Sequence, residues 1–442
     1  MNHRRTILKW MVGMPVLCTL SAVSTGLAGR ADQGKRSSRT PGSVNTSEEA
    51  ATLVLSLASL AAEAGTFGVG GALIENKTGR IIKTMRNNVV QRLDNNAGIN
   101  SGKLYTFDPT AHGERQLVSW YFENVKALDL PPPHELTVIT SLDPCSMCAG
   151  SLLAAGFNVA IVADDEYAGT NWNKQTDFRR YPGKIASGLA AKFGYYAISG
   201  IRGYSGAPQI IFNRLKIASE TARKCETTFT RSVDSVRSRS SASGLPPSRL
   251  KDPFLLPENS PLKQQWKTKF KHAFMLKLEN YRQPTTKLRN ILEAELKSAK
   301  NAKNAVALID NFGNLLGLET DHFETSPIDT AFMRLTQNYA KTRFQLMNHE
   351  DTAELLEQHM TSPRYGTFVF LYAQDPDDAL TLKDLGAYGS TMEGVIPVNE
   401  PSNFQFFLPP QKGSVAGLKQ LISTMPPFYR ELVNINPQQV KS

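Results

Sequence analysis

The chain has 442 residues, of which 41% are hydrophobic and 20% charged, a composition typical of a globular protein. This composition excludes collagen-like and coiled-coil proteins, and the length predicts two domains rather than one. The formal net charge is +10, but residues 1–40 hold seven Lys or Arg and one Asp, so only +4 remains for the rest of the chain. The charge is therefore weak evidence for nucleic-acid binding. We find no internal repeat in the sequence.

Residues 1–31 have the pattern of an export signal. Arg4 and Arg5 precede a moderately apolar stretch over about 10–27, and small residues follow near Ala28. This stretch is too short and too diluted with polar residues to favour a membrane span. RRTILK is similar to the twin-arginine export signal of bacteria, so we expect a periplasmic or secreted protein with no stable transmembrane span after processing. An ordinary secretory signal or an uncleaved anchor is the alternative.

A polar linker over residues 32–46 precedes the first predicted domain, residues 47–228. The pattern predicts, in chain order, a helix, a hairpin, a helix, a strand, a short helix and a strand, over 47–64, 72–84, 107–128, 135–142, 144–156 and 157–164. The first of the two single strands is mostly apolar, which suits a sheet covered on both faces. This order predicts a three-layer α/β/α domain with a mixed central sheet.

Residues 229–252 are rich in Ser, Arg and Pro, and predict partly the end of the helix that carries Cys225 and mainly an interdomain linker. Residues 253–442 predict a mainly helical domain, with helices as far as about residue 361 and strands at 366–373 and 404–408. The sequence of this second domain indicates no function.

Two segments, DPTAHGE (108–114) and DPCSMC (143–148), share a design. In each, an Asp is suited to cap a helix and the Pro after it to the first helical position. This predicts that His112, Cys145 and Cys148 lie in first turns, where the helix dipole favours thiolates. One His and two Cys suit a tetrahedral zinc site whose fourth position stays open, which is the mark of a catalytic site.

Glu114 lies two residues after His112, so its carboxylate can reach a water at the open position without being a ligand. A redox pair of Cys145 and Cys148 is a second interpretation, and a structural zinc site is a third, although no fourth ligand lies close in sequence. Cys225, on a polar helix, is interpreted as a thiol without a role in the site.

Together the two motifs resemble those of the cytidine deaminase-like superfamily, especially its branch of tRNA-adenosine, guanine and cytosine deaminases. DPTAHGE is similar to that branch's DPTAHAE, and LDPCSMCAG (142–150) to its PCxMCxGA-like motif. His-x-Glu followed by Pro-Cys-x-x-Cys is the signature of zinc deaminases. The resemblance covers residues 48–170, and three features depart from the family: Gly113 in place of Ala, a long loop over 90–107, and the large domain from residue 253.

The resemblance implies one zinc ion per chain, bound by His112, Cys145 and Cys148. It also implies that Glu114 takes a proton from the water that zinc activates, and returns protons to the ring nitrogen and to the departing ammonia.

Substrate contacts at Asn87 and Ala111 and a homodimer are further implications of the resemblance. We expect an exported zinc-dependent hydrolase that removes an exocyclic amine from a nucleobase or nucleoside of guanine, cytosine or adenine type. Export argues against tRNA as the substrate, so no nucleic-acid partner is expected. The alternative is a deaminase-fold binding module whose main role lies in residues 253–442.

Overall fold

The computed structural model describes residues 42–94, 100–174, 177–196, 205–206, 216–239, 244–392 and 400–441. The predicted leader lies outside these residues, as does most of the linker predicted after it. Within the part of the chain that is described, no helix has the length and apolar character needed to cross a membrane.

The N-terminal half is built around a six-stranded sheet. Its elements are α1 (Ser47–Glu63), β1 (Gly70–Glu75), β2 (Ile81–Arg86), β3 (Val90–Arg92), β4 (Leu104–Thr106), α2 (Gly113–Asn124), β5 (Leu136–Thr140), α3 (Ser146–Ala155), β6 (Asn158–Ile161), α4 (Gly183–Lys192), β7 (Phe193–Tyr195), β8 (Ser205–Gly206) and α5 (Ser219–Arg239). The segment predicted as a long loop over 90–107 contains the β3–β4 hairpin, which forms a small sheet of its own.

The strand order of the large sheet is β2-β1-β5-β6-β7-β8. β1 pairs antiparallel with β2 and β5, whereas β6 pairs parallel with β5 and β7. The central strand β5 is buried on both faces, because Leu136 and Val138 pack in the cluster that includes α2 and α3, and Ile139 packs in the cluster of α1. The predicted three-layer α/β/α fold with a mixed sheet is confirmed.

The C-terminal half contains a second sheet with helices around it. Its elements are α6 (Pro261–Lys269), α7 (Thr286–Ser298), β9 (Ala305–Ile309), β10 (Leu315–Thr320), α8 (Ala331–Met347), α9 (Glu350–His359), β11 (Thr367–Tyr372), α10 (Ala379–Met392), β12 (Phe404–Leu408), α11 (Val415–Thr424) and β13 (Gln438–Gln439). The strand order is β10-β9-β11-β12-β13. Helices hold more residues of this half than strands do, as expected, and β11 and β12 lie where strands were predicted.

The C-terminal half differs from the sequence-based prediction at one hairpin. The β9–β10 hairpin occupies part of the region predicted to be helical up to residue 361. It is buried and paired on both edges of β9, a tertiary context that periodicity alone does not reveal. Between the two halves, α5 ends at Arg239, within the segment predicted partly as the end of this helix and mainly as a linker.

The two halves meet where α3 packs against α10. A Cβ atom on Gly150 of α3 would lie 2.4 Å from the main-chain nitrogen of Lys383, and one on Gly386 of α10 would lie 2.0 Å from that of Met147. The two helix backbones therefore touch directly, and only glycine fits at either position. This contact lies beside the segment that carries Cys145 and Cys148.

Candidate metal centre

Three side chains predicted as ligands come together in the structure. One ring nitrogen of His112 and the sulfurs of Cys145 and Cys148 all lie within 4.8 Å of one another. Nδ1 of His112 is 3.5 Å from Sγ of Cys145. Ligands of a tetrahedral zinc ion with ordinary Zn–N and Zn–S bonds are separated by about 3.5 Å, so this donor set fits a zinc ion.

The helix starts that hold these ligands differ in detail from the prediction. His112 and Cys145 are the N-cap residues of α2 and α3, and neither side chain makes a capping hydrogen bond. The two prolines precede the helices rather than opening them, so the predicted role of Asp-Pro at the helix start is wrong. The ligands still lie at the positive ends of the two helices, as expected.

The two aspartates instead fix the loops that lead into the helices. Asp143 accepts hydrogen bonds from the main-chain N–H of Asn171 at 2.8 Å and from the Tyr195 hydroxyl at 3.0 Å. Asp108 accepts from the main-chain N–H of Thr110 at 2.8 Å. Both are buried, so each carboxylate holds the conformation of its ligand-bearing loop.

Asn87 caps α2 from outside the helix. Its side-chain oxygen accepts a hydrogen bond of 2.7 Å from the main-chain N–H of Gly113, the first residue of the helix. Ala111 is buried, and its carbonyl accepts from the main-chain N–H of Asn88 at 2.8 Å. Both residues lie beside the ligand His112, where the resemblance places substrate contacts.

The side chains of His112, Cys145 and Cys148 shift one another's pKa values. The hydrogen bond from Cys148, together with the nearby His112, holds the pKa of Cys145 well below its usual value, against the effect of burial. Burial raises the pKa of Cys148 well above its usual value. Burial lowers the pKa of His112, but Cys145 outweighs this effect and the net pKa is raised. The lowered pKa of Cys145 favours its thiolate, the form that binds metals.

Glu114 lies beside the three ligands without joining them. The Thr140 hydroxyl lies 3.0 Å from its Oε1, and Sγ of Cys148 lies 3.6 Å from its Oε2. The side chain is buried, and burial raises its pKa. A buried carboxylate with a raised pKa, held by one hydroxyl and facing a metal site, has the properties of a general base.

Residues of the C-terminal half also support the site, and no sequence motif points to them. The main-chain N–H of Ser146 donates to the hydroxyl of Tyr429 at 3.2 Å, and this hydroxyl also interacts with the neighbouring Cys145. Gln337 of α8 donates to the Thr110 hydroxyl at 3.0 Å. Nζ of Lys341 lies 3.5 Å from Oδ2 of Asp108. Sequence separations of more than 200 residues hide all three contacts.

Cys225 does not belong to the candidate metal centre. It lies on α5 in the cluster that packs around α1, and is 1% exposed. Burial raises the pKa of its thiol to about 12, so it stays protonated.

Comparisons with known proteins agree with the geometry. The sequence model of the family described as the cytidine and deoxycytidylate deaminase zinc-binding region matches residues 44–164. Among curated proteins, no sequence matches this chain. A solved structure from a study of A-to-I editing by tRNA:A34 deaminases is 22% identical, covers 28% of this chain and 77% of its own, and has a TM-score of 0.21.

A guanine deaminase from Nitrosomonas europaea is 19% identical to this chain, with a TM-score of 0.27. The match covers 44% of this chain and 89% of that one. Both structures match less than half of this chain.

Proposed function

We propose that this protein is a zinc-dependent hydrolase that removes an exocyclic amine from a nucleobase or nucleoside, since the model of the cytidine and deoxycytidylate deaminase zinc-binding region matches residues 44–164. The observation that carries this proposal is the position of Glu114, buried 3.6 Å from one ligand sulfur and outside the ligand set. Guanine, cytosine and adenine, free or as nucleosides, are the candidate substrates.

The reaction replaces a C–N bond of the substrate ring by a C–O bond, consumes one water and releases ammonia. His112, Cys145 and Cys148 would hold a zinc ion, which would supply a Lewis acid that lowers the pKa of a water. Glu114 receives the proton of that water and delivers protons to the ring nitrogen and to the leaving amine. Thr140 orients the carboxylate through Oε1, which leaves Oε2 on the side of the ligands for proton transfer.

The experiment that tests this proposal combines zinc content with ammonia release over a panel of nucleobases and nucleosides. Glu114→Gln keeps the shape of the side chain and should retain about one zinc per chain, because Glu114 is not a ligand. Ammonia release should fall by about 10²-fold to 10⁴-fold, the usual contribution of a general acid–base group. The matched control is Glu123→Gln, an exposed residue of the same helix, which should leave both measurements unchanged.

Three outcomes would count against parts of this proposal. Wild-type protein that holds zinc but releases no ammonia from any compound of the panel would favour the alternative of a binding module. Full activity in Glu114→Gln would remove the assigned role of the carboxylate. A reversible disulfide between Cys145 and Cys148 in metal-free native protein would support the redox interpretation instead.

Export is a separate part of the proposal and rests on the leader sequence. Arg4 and Arg5 at the start of RRTILK support a twin-arginine route to the periplasm or to the outside of a bacterial cell. Replacing both arginines by Lys should keep the protein in the cytoplasm, which cell fractionation measures. Unchanged export of this variant would indicate an ordinary secretory signal.

A further inference from the structure

The C-terminal half repeats the element order of the N-terminal half. The series α1-β1-β2-α2-β5-α3-β6-α4-β7 corresponds to α7-β9-β10-α8-β11-α10-β12-α11-β13. The strand orders β2-β1-β5-β6-β7 and β10-β9-β11-β12-β13 are the same, and in both the pairings run antiparallel, antiparallel, parallel and parallel. The β3–β4 hairpin in one half and α9 in the other are insertions into this shared plan.

The two hairpins agree in detail as well as in order. In the first, the main-chain N–H of Val44 donates to the carbonyl of Gly79 at 2.9 Å, and in the second that of Leu278 donates to the carbonyl of Gly313 at 2.8 Å. Both glycines have a positive φ, +72° and +91°, and the sequence separation within each pair is identical. Such a match in a local contact is not expected from two unrelated sheets of the same class.

The contact between α3 and α10 is the same from either side, because a glycine of each helix faces the backbone of the other. Gly150 faces the backbone of Ala379 and Lys383, while Gly386 faces that of Ser146 and Met147. A contact in which the same surface serves both partners is the signature of a two-fold interface. Under this two-fold relation, Gly386 corresponds to Gly150. The residues two positions earlier then correspond as well, so Asp384 is the counterpart of the ligand Cys148.

The second half has different residues at the positions that correspond to the metal ligands. The N-cap of α8 is Thr330, where α2 has His112. The Thr330 hydroxyl donates to Oδ1 of Asp384 at 2.7 Å, so the counterparts of two ligands meet there too. Nζ of the fully buried Lys383 lies 2.7 Å from the Thr330 hydroxyl and 2.9 Å from Oδ1 of Asp384. An ammonium thus lies among the residues that correspond to the metal site.

We propose that residues 277–439 are a second copy of the deaminase fold that binds no metal, carries the Lys383 ammonium in its place, and acts as the built-in partner of the catalytic half. A buried ammonium paired with a carboxylate and a hydroxyl satisfies the charge that a lost metal would otherwise leave uncompensated. The inference rests on the zinc site of the proposed function, but not on its substrate.

The second copy acts on the site through Tyr429. Its hydroxyl accepts from the main-chain N–H of Ser146 and lies next to Cys145, so it holds the first turn of α3 and one ligand sulfur. Gly389 of α10 leaves the space for the ring, because a Cβ there would lie 2.5 Å from Cε1 of Tyr429. Tyr429 is therefore a positioning residue for Cys145, supplied by the partner copy.

The first test measures metal content of the full chain. Wild-type protein should bind one zinc per chain even in excess metal, and His112→Ala should bind none. A second zinc in the wild type, or one that remains in His112→Ala, would overturn the assignment of a metal-free copy.

The second test uses cobalt(II), whose absorption bands report the geometry of a site with two thiolates, and needs no substrate. Tyr429→Phe should shift these bands and weaken cobalt binding by about 10-fold, the usual effect of losing a group that orients a ligand. Tyr339→Phe is the matched control: its hydroxyl donates to the carbonyl of Thr361 at 2.7 Å within the same half, and the cobalt spectrum should not change.

Identical cobalt spectra and affinities for Tyr429→Phe and Tyr339→Phe would overturn the positioning role. Gly389→Ala gives an independent check, since it displaces the Tyr429 ring without removing the hydroxyl, and should produce a spectral shift as well. A protein that shows these cobalt effects but no ammonia release would retain this inference and lose only the proposed function.

Discussion

The carboxamide of Asn87 makes one structural contact through its oxygen and is expected to make a substrate contact through its nitrogen. Its oxygen accepts from the main-chain N–H of Gly113, so a contact with the substrate falls to its nitrogen. Asn87→Ala should lower the free energy of unfolding by about 1 kcal/mol, the usual effect of losing a helix cap, and should raise KM. Urea denaturation and steady-state kinetics measure the two effects. A stability loss with KM unchanged would restrict Asn87 to the capping role.

Gly113 is the residue at which the motif departs from its family. A Cβ there would lie 3.4 Å from the carbonyl oxygen of Met85 and 3.5 Å from its next neighbours, which is ordinary van der Waals contact. Gly113→Ala should therefore fit, and should stabilise the first turn of α2 by about 0.5–1 kcal/mol. Thermal unfolding measures this gain. A loss of stability, or a large change in KM, would show that the glycine shapes the pocket floor instead.

Asp310, in the turn between β9 and β10, makes the free energy of unfolding decrease as pH rises. It is 1% exposed, and burial raises its pKa from 3.8 to about 6 despite hydrogen bonds from Asn314. A carboxyl whose pKa is raised by folding stabilises the protein below the unfolded value, and this contribution is lost as pH rises through the folded value. The loss between pH 4 and pH 7 amounts to about 2 kcal/mol.

Asp310→Asn removes the titration, so the difference in unfolding free energy between wild type and variant should change by about 2 kcal/mol over that range. Urea denaturation at pH 4 and pH 7 measures it. A difference that is equal at the two pH values would show that Asp310 does not change protonation on folding.

At the scale of elements, the packing of α3 on α10 depends on two glycines. A Cβ on Gly386 would lie 2.0 Å from the main-chain nitrogen of Met147, and no rotation of a side chain can relieve a clash with backbone. Gly386→Ala should lower stability by about 3 kcal/mol or more. It should also lower zinc affinity, because α3 carries Cys148. Gly183→Ala, with no atom within 4 Å of the added Cβ, is the control and should change neither property.

The sequence predicts which residues of the N-terminal half come together better than it predicts the elements of the C-terminal half. His112, Glu114, Cys145 and Cys148 lie close together in the structure, and each stands in a short, local sequence pattern. Tyr429 was not predicted, since its contact with Ser146 exists only after the two halves pack together. The β9–β10 hairpin was missed because its burial comes from β11 and the surrounding helices rather than from a period in its own sequence.

At the scale of the whole molecule, a fold can repeat where the sequence shows no repeat. Packing constrains hydrophobic character and size rather than residue identity, so two copies of one topology can diverge fully. At the ligand positions the residues differ in kind, with Thr330 at the place of His112 and Asp384 at that of Cys148. The α3 face that an identical partner could use in a homodimer is already covered by α10.

This arrangement links metal loading to the folding of the entire chain. The ligands come from α2 and α3, and the second half holds both loops through Lys341 and Tyr429. Because a preformed site does not exist in the unfolded chain, zinc binding and folding stabilise each other. A twin-arginine leader would export the chain folded and loaded, and the bound metal would keep Cys145 and Cys148 from forming a disulfide in an oxidising compartment.

Replacing the leader by one that exports unfolded chains should therefore yield protein that is poor in zinc and oxidised at Cys145 and Cys148. Zinc analysis and thiol titration of the purified periplasmic protein measure both properties. Protein produced without a leader in the cytoplasm is the control, and should contain one zinc per chain and two reactive thiols after metal removal under denaturing conditions, besides Cys225. Zinc-replete, active protein from the unfolded route would show that the site assembles without protection by prior folding.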